Sequence, residues 1–240
     1  MRLLPVVLSL ILLPVLAPAQ DLPKSKAEFE QAIHDYLLKH PEVVIEAVAK
    51  YQENQRNDEK KKAEQAISSS QQQLVNDPGS PAAGPDASKA VTVIEFFDYR
   101  CGYCKRMAPT VAKFVTGAKI RLVYKELPIL GPDSLLAAKA ALAARKQGDY
   151  VKFHQDLMSL QGTITMAAIE GVAAKNSMDI AKLKTDMEGV DVKAQIAATE
   201  ALAQKLGVTA TPSFVIGSEL LTGAMDEAEF QTAITKAQKR

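Results

Sequence analysis

Apolar and polar residues change rhythm several times along this chain, and each change marks an element. From Ser25 to about Lys39, Phe29, Ile33, Tyr36 and Leu37 recur at helical spacing, and Ser25 followed by Glu28 three residues on has the form of a capping box. A second helix is predicted from Pro41 to about Leu74. Its stripe of Val44, Val48 and Tyr51 gives way to the polar run 52–62, after which Ala63, Ala66, Ile67 and Leu74 resume the pattern. Such a helix would be about 50 Å long, more than one small domain covers. Its apolar ends need a partner. Copies of the same stripe would supply one, and a hairpin folded back on the main domain is the alternative. Residues 76–90, rich in Pro, Gly and small polar side chains, read as a linker.

Beyond this segment the period shortens. Val91–Phe97 is a near-continuous run of β-branched and aromatic residues, the pattern of a strand buried on both faces. A helical pattern from Cys101 to about Thr116 and a second strand over Ile120–Leu127 complete a β-α-β unit. Helices are then predicted over Asp133–Gln147, Asp149–Leu160, Thr165–Asn176, Asp179–Glu188 and Asp191–Leu206, the last closed by Gly207. Two short strands, Ser213–Ile216 and Glu219–Thr222, flank a Gly217-Ser218 turn, and a last helix starts at Asp226. The order is that of an α/β domain over 91–240 with a helical insertion at 133–188.

The N-terminus carries a different message. Arg2, an apolar run from Leu3 to Leu16 and the small residues Ala17-Pro18-Ala19 have the form of a secretory signal peptide spanning 1–19. The run is too short for a spanning helix and contains Pro5 and Pro14. Export from a bacterial cytoplasm into the periplasm would place the chain where disulfides persist. Composition adds two exclusions. With 29 basic and 28 acidic side chains the chain lacks the charge of a nucleic-acid binder, and 47% hydrophobic residues with 24% charged exclude a wholly disordered or multi-span chain.

The chain has two cysteines, Cys101 and Cys104. Their spacing brings both sulfurs within disulfide reach across one helical turn, directly after a buried strand. A helix N-terminus offers its unpaired N–H groups and positive dipole to the first sulfur. Cys101 is therefore the expected thiolate nucleophile, with the N–H groups of Tyr103 and Cys104 as donors. Gly102 leaves bare backbone over which a partner sulfur could approach an exposed Cys101, while a more buried Cys104 would resolve the mixed disulfide. Two other readings stand beside catalysis. Half a zinc site would need a second pair of ligands, and His34, His40 and His154 have no ligand-like spacing. A structural disulfide closing so short a loop would stabilise little. Neither a metal nor a cofactor is expected.

The run FFDYRCGYCKRMAP resembles the active-site segment of the thioredoxin superfamily, including Pro109 five residues after Cys104. Together with VIEFFDYRC, ELPILGPDS, TATPSFVIG and the helical insertion it is similar to the DsbA-like branch. IHDYLLKHPEVVIEAVAKY is similar to the helical oligomerisation segment of the suppressor-of-copper-sensitivity protein C (ScsC) group. The resemblance implies a thioredoxin-like fold behind a helical oligomerisation stalk at 20–75, with a trimer ahead of a dimer. It implies that Pro212 is a cis-proline facing the dithiol, and that Thr211 offers backbone hydrogen bonds to a substrate peptide, with Gly102 and Tyr103 on the same substrate-facing side. It also implies that Glu95 is a buried acid relaying the proton of Cys104. A strand-end carboxylate paired with a lysine is the alternative for Glu95. The implied partners are exported cysteine-containing proteins and a membrane redox protein. The dipeptide between the cysteines is Gly-Tyr, whereas the ScsC group commonly has Pro-Tyr; Gly-Tyr resembles the dimeric disulfide isomerases (DsbC). The resulting expectation is a disulfide isomerase, with a monomer-like oxidase or reductase, or a non-catalytic chaperone or metal carrier, as alternatives.

Overall fold

The computed structural model describes residues 23, 25–148 and 150–239, so the expected signal peptide lies outside the described residues. The chain divides into two compact units at Gln55/Arg56. In the first, α1 spans Lys26–Lys39 and α2 begins at Pro41. The Ser25 hydroxyl accepts the Glu28 N–H at 3.2 Å, which satisfies one of the free donors of the first turn. The apolar stripe of these helices stays in solvent: Phe29 is 55% exposed, and Ile33, Tyr36, Val44, Val48 and Tyr51 are exposed with it.

The second unit starts within α2, which ends at Ser68 rather than running on to Leu74. A turn at Ser69 and Ser70, closed by Ser70 N–H donating to the Ile67 carbonyl, leads into α3, Gln71–Val75. Serine hydroxyls compete with the helical ladder in this way, and Ser69 Oγ donates to the Ala66 carbonyl at 3.1 Å. The bend lets both Ile67 and Leu74 bury themselves beside Ile94, Phe96, Val123, Leu202 and Val215. The end of the expected stalk, through Ala66, Ile67, Leu74 and Val75, thus packs on its own chain. The expected linker is also corrected. Residues 76–90 include β1, Ala82–Ala83, which pairs antiparallel with the strand at 120–126, so their Pro and Gly residues shape turns around an edge strand.

That edge is fastened by a buried ammonium. Lys125, 1% exposed, donates to the Gln73 carbonyl at 2.6 Å, Ser80 Oγ at 2.7 Å and Asp77 Oδ2 at 2.8 Å. A buried charge is tolerated only when so paired. Burial works against the charge of Asp77, but hydrogen bonds from Lys125, Ser80 and Gln195 hold its carboxyl down to about 2.

The sheet has the order β1-β3-β2-β4-β5. In it, β2 (Val91–Phe97) runs parallel to β3 (Ile120–Glu126) and antiparallel to β4 (Ser213–Ile216), and β5 (Glu219–Thr222) pairs with β4. Helix α4, Gly102–Thr116, connects β2 to β3. Between β3 and β4 lie α5 (Pro132–Ala144), α6 (Tyr150–Ser159), α7 (Met166–Lys175), α8 (Ile180–Met187) and α9 (Val190–Leu206), and α10 (Glu227–Gln238) closes the chain. Val93, Phe97, Leu122 and Tyr124 belong to the core shared with α4, α5 and α6, while Ile94, Phe96 and Val123 belong to the core shared with α2, α3 and α9. Cover on both faces explains why β2 reads as unbroken apolar sequence. Six buried alanines of α5, from Ala137 to Ala144, let it lie against several neighbours at once.

Leu74 is fully buried in the second of these cores. Leu74→Ala should therefore lower the stability of the full chain by about 2–5 kcal/mol in urea unfolding; a change below about 0.5 kcal/mol, the level of a surface substitution, would place α3 off the sheet.

Candidate active site

Strand β2 ends at Phe97, and four residues later Cys101 is the N-cap of α4, in extended conformation at φ −69° and ψ 111°. Its Sγ accepts the Cys104 N–H at 3.4 Å. Both cysteines are free thiols. The Cys101 thiol donates to the Thr211 carbonyl at 3.1 Å, and the peptide bond from Thr211 to Pro212 is cis. The Pro212 loop is held in turn, because Ser213 Oγ donates to the Ala210 carbonyl and Gly223 N–H to the Pro212 carbonyl. At Gly102 an added Cβ would meet only the Arg106 guanidinium, at 3.8 Å, so the backbone there is open to approach. Tyr103 beside it is 59% exposed and carries the Arg106 guanidinium 4.2 Å from its ring centre.

One expectation needs correction. Cys101 is not exposed but 6% accessible, because Thr211 lies against its sulfur. Cys104 is completely buried, so the order of accessibility between the two is still first above second.

The three residues before Cys101 each bond the segment that runs from the end of β3 to the first turn of α5. Asp98, buried, accepts the Arg100 N–H at 2.7 Å, Ser134 Oγ at 2.7 Å and the Leu130 N–H at 3.0 Å, while its carbonyl accepts the Cys101 N–H. Tyr99 donates its hydroxyl to Glu126 Oε1 at 3.0 Å. Arg100 reaches the Leu130 carbonyl at 2.8 Å and Asp133 at 3.0 Å. These residues escape a reading by periodicity, because Asp98–Arg100 is a turn and Glu126 is the last residue of a strand. His154 lies 3.0 Å from the Tyr99 hydroxyl, among the rings of Phe97, Tyr124 and Tyr150. Among the described residues no cluster of three His, Cys, Asp or Glu could hold a metal ion.

Burial governs the electrostatics beneath the dithiol. Glu95, on β2 opposite Tyr124, is pushed up to about 8 by burial. Lys125 on the next strand is bonded to Asp77, so a lysine pair with Glu95 does not form there. Burial pushes the Cys104 thiol well above its ordinary range; a hydrogen bond from the Asp98 backbone opposes this, and the charges of Cys101 and Glu95 add to it. Glu126 is raised to about 8 by burial, against the hydroxyls of Tyr150 and Tyr99. Burial lowers His154 to about 3, which keeps the ring neutral.

Residues 92–235 match the model of the DSBA-like thioredoxin domain family. The chain belongs to this family. Its mixed sheet with helices on both faces is that of the thioredoxin-like fold. Residues 26–57 of this DsbA-like protein match the N-terminal domain of copper resistance protein ScsC. A thioredoxin-like oxidoreductase from Silicibacter pomeroyi is 43% identical, covering 70% of this chain and 98% of its own, with a TM-score of 0.67. A linker-deletion variant of Proteus mirabilis ScsC is 26% identical over 93% of this chain and 99% of its own, with a TM-score of 0.68. Among curated proteins, the Na(+)/H(+) antiporter NhaA 1 of Salinispora arenicola is 29% identical over 61% of this chain, and the chain spans only 23% of that protein's length. No helix among the described residues is long and apolar enough to cross a membrane.

The buried carboxyls set a pH dependence. Between about 4.5, where an unperturbed Glu titrates, and about 8 the folded protein holds protons on Glu95 and Glu126 that the unfolded chain releases. The stability that these raised groups contribute is complete below pH 4.5 and is lost as pH climbs to 8. His154 acts in the opposite sense, adding stability as pH rises from about 3 to 6.5. From pH 6.5 to 8 the carboxyls act alone among these three, so urea midpoints should fall over that window and Glu95→Gln should flatten the fall; equal slopes in the two proteins would contradict a buried, proton-holding Glu95.

Proposed function

We propose that this protein catalyses thiol–disulfide exchange on exported cysteine-containing proteins, and that it acts as a disulfide isomerase. The observation that carries the exchange reaction is the constellation at one end of β2: a reduced Cys101 at a helix N-cap, Cys104 one turn below it, Glu95 within electrostatic reach of Cys104, and the Thr211 carbonyl before cis Pro212 against the first sulfur. Cys101 attacks a disulfide of the substrate and forms a mixed disulfide, while an extended segment of the substrate lies along Thr211 and Pro212 with Gly102 and Tyr103 beneath it. Cys104 then passes its proton to Glu95 and attacks Cys101 Sγ, releasing the substrate. The family match and the likeness to a thioredoxin-like oxidoreductase support this reading.

Isomerisation is supported by the N-terminal unit. Its exposed Phe29, Ile33, Tyr36, Val44 and Val48 form a stripe suited to pairing with other copies, and several dithiols around one misfolded chain raise the local thiol concentration. In this reading the copies number three rather than two, as the resemblance of the segment to the ScsC group implies. Residues 1–19 would direct the chain to the periplasm, where a membrane thiol–disulfide protein would keep the dithiol reduced.

Cys101→Ala should abolish exchange, and Cys104→Ala should accumulate mixed disulfides visible on non-reducing gels. Turnover of Cys104→Ala at the wild-type rate would overturn the assigned roles. Removing the residues before Arg56 should yield a monomer by light scattering that still oxidises or reduces dithiols but rescues scrambled substrates at least about tenfold more slowly, within the range that avidity spans. A monomeric full chain at micromolar concentration, or equal isomerisation by the shortened one, would leave a simple oxidase or reductase in its place.

A further inference from the structure

Glu126 takes no direct part in the exchange chemistry described above, yet it shares a sheet face with Glu95. In the parallel pairing of β2 and β3, Glu95 lies opposite Tyr124 and Phe97 opposite Glu126, so the two carboxyl-bearing residues occupy diagonal positions on one face. Strand spacing and rise place their backbones about 8 Å apart. Glu126 is 2% exposed, and its two oxygens differ. Oε1 accepts the Tyr150 hydroxyl at 2.6 Å and the Tyr99 hydroxyl at 3.0 Å. Oε2 is buried without a hydrogen-bond partner among the described residues. A carboxylate satisfied on one side only is costly to ionise in such a place, so its charge responds to what surrounds it.

The titratable groups around the pair come from every neighbouring element: Asp98 and Tyr99 from the turn, Tyr124 from β3, Tyr150 and His154 from α6, and Cys104 from α4. Among the described residues Lys125 is the one buried lysine, and it is committed to Asp77 and Ser80. We propose that Glu126, held by Tyr99 and Tyr150, is a positioning residue for exchange that sets how readily Glu95 takes the proton of Cys104. The proposal rests on the exchange reading and deepens it.

In the mixed disulfide, in those molecules whose Glu95 has ionised, the Cys104 thiol gives its proton to the Glu95 carboxylate while its sulfur attacks Cys101 Sγ. The Cys104–Cys101 bond forms, the bond from Cys101 to the substrate sulfur breaks, and the substrate leaves as a thiolate carrying the electron pair. Cys104 is thereby oxidised and the substrate sulfur reduced. Negative charge on Glu126 makes Glu95 a stronger base, and its loss makes Glu95 a weaker one that stays ionised to lower pH.

The test uses the full chain labelled with ¹³C at glutamate carboxyls, with the Glu95 signal assigned by its loss in Glu95→Gln. In Glu126→Gln the Glu95 titration should move to lower pH by about half a unit or more, the scale expected for two coupled buried carboxyls. Tyr150→Phe, which weakens the Glu126 carboxylate without deleting it, should move it the same way by less, and serves if Glu126→Gln does not fold. In parallel, Cys101 is loaded with thionitrobenzoate and the rate of its release by Cys104 is followed against pH; the midpoint of that profile should shift in the same direction as the carboxyl titration. A Glu95 titration unchanged in both variants, or a shifted titration with an unmoved rate profile, overturns the proposal. Failure of the wild type to release the label at any pH overturns the exchange reading, and with it the role given to Glu126, whatever the carboxyl titrations show.

Discussion

Everything about this domain turns on how β2 is buried. The strand is covered by helices on both faces, so it must be apolar almost throughout, and any polar group placed on it is cut off from water. Glu95 is such a group. Its position near the end of the strand puts a carboxyl that burial pushes up to about 8 within electrostatic reach of Cys104. Burial likewise disfavours the thiolate of Cys104.

The exit from the strand is specified as tightly as the strand. Asp98, Tyr99 and Arg100 spend their side chains on the Glu126–Ser134 segment, and so the N-cap position of Cys101 is defined by contacts to residues some thirty positions away. A helix N-terminus offers its N–H groups to whatever stands there. Here the clasp decides that a sulfur stands there and that it meets Thr211.

Much of this was legible in the order of residues because it is periodic or local. Strand β2, the β-α-β unit, the helices of the insertion and the Gly207 stop all follow from spacing and caps, and Cys-x-x-Cys after a buried strand is a local signature. The cis Pro212 is implied by resemblance only, since no pattern within TATPSF carries it. What escaped depends on distant partners. The Ser69-Ser70 bend is a two-residue event inside an otherwise helical pattern, and only the sheet face beneath it explains why Ile67 and Leu74 turn inward. Residues 76–90 have linker composition, yet Ala82 and Ala83 find an edge to pair with. Glu126, Tyr150 and His154 lie on two elements that periodicity describes correctly without hinting that they meet.

The Lys125 anchor has a consequence for the surroundings in which the fold can work. Exposed ion pairs such as that of Lys113 with Glu227 are weakened as dissolved ions crowd around them, because solvent screens charges that it can reach. Lys125 is sealed from that atmosphere and bonded to Asp77, Ser80 and a main-chain oxygen, while Asp77 keeps 20% of its side chain exposed. The seam joining β1 and the end of α3 to the central sheet is therefore less sensitive to salinity than those surface pairs, and the strand that carries Tyr124 and Glu126 keeps more of its footing in brine.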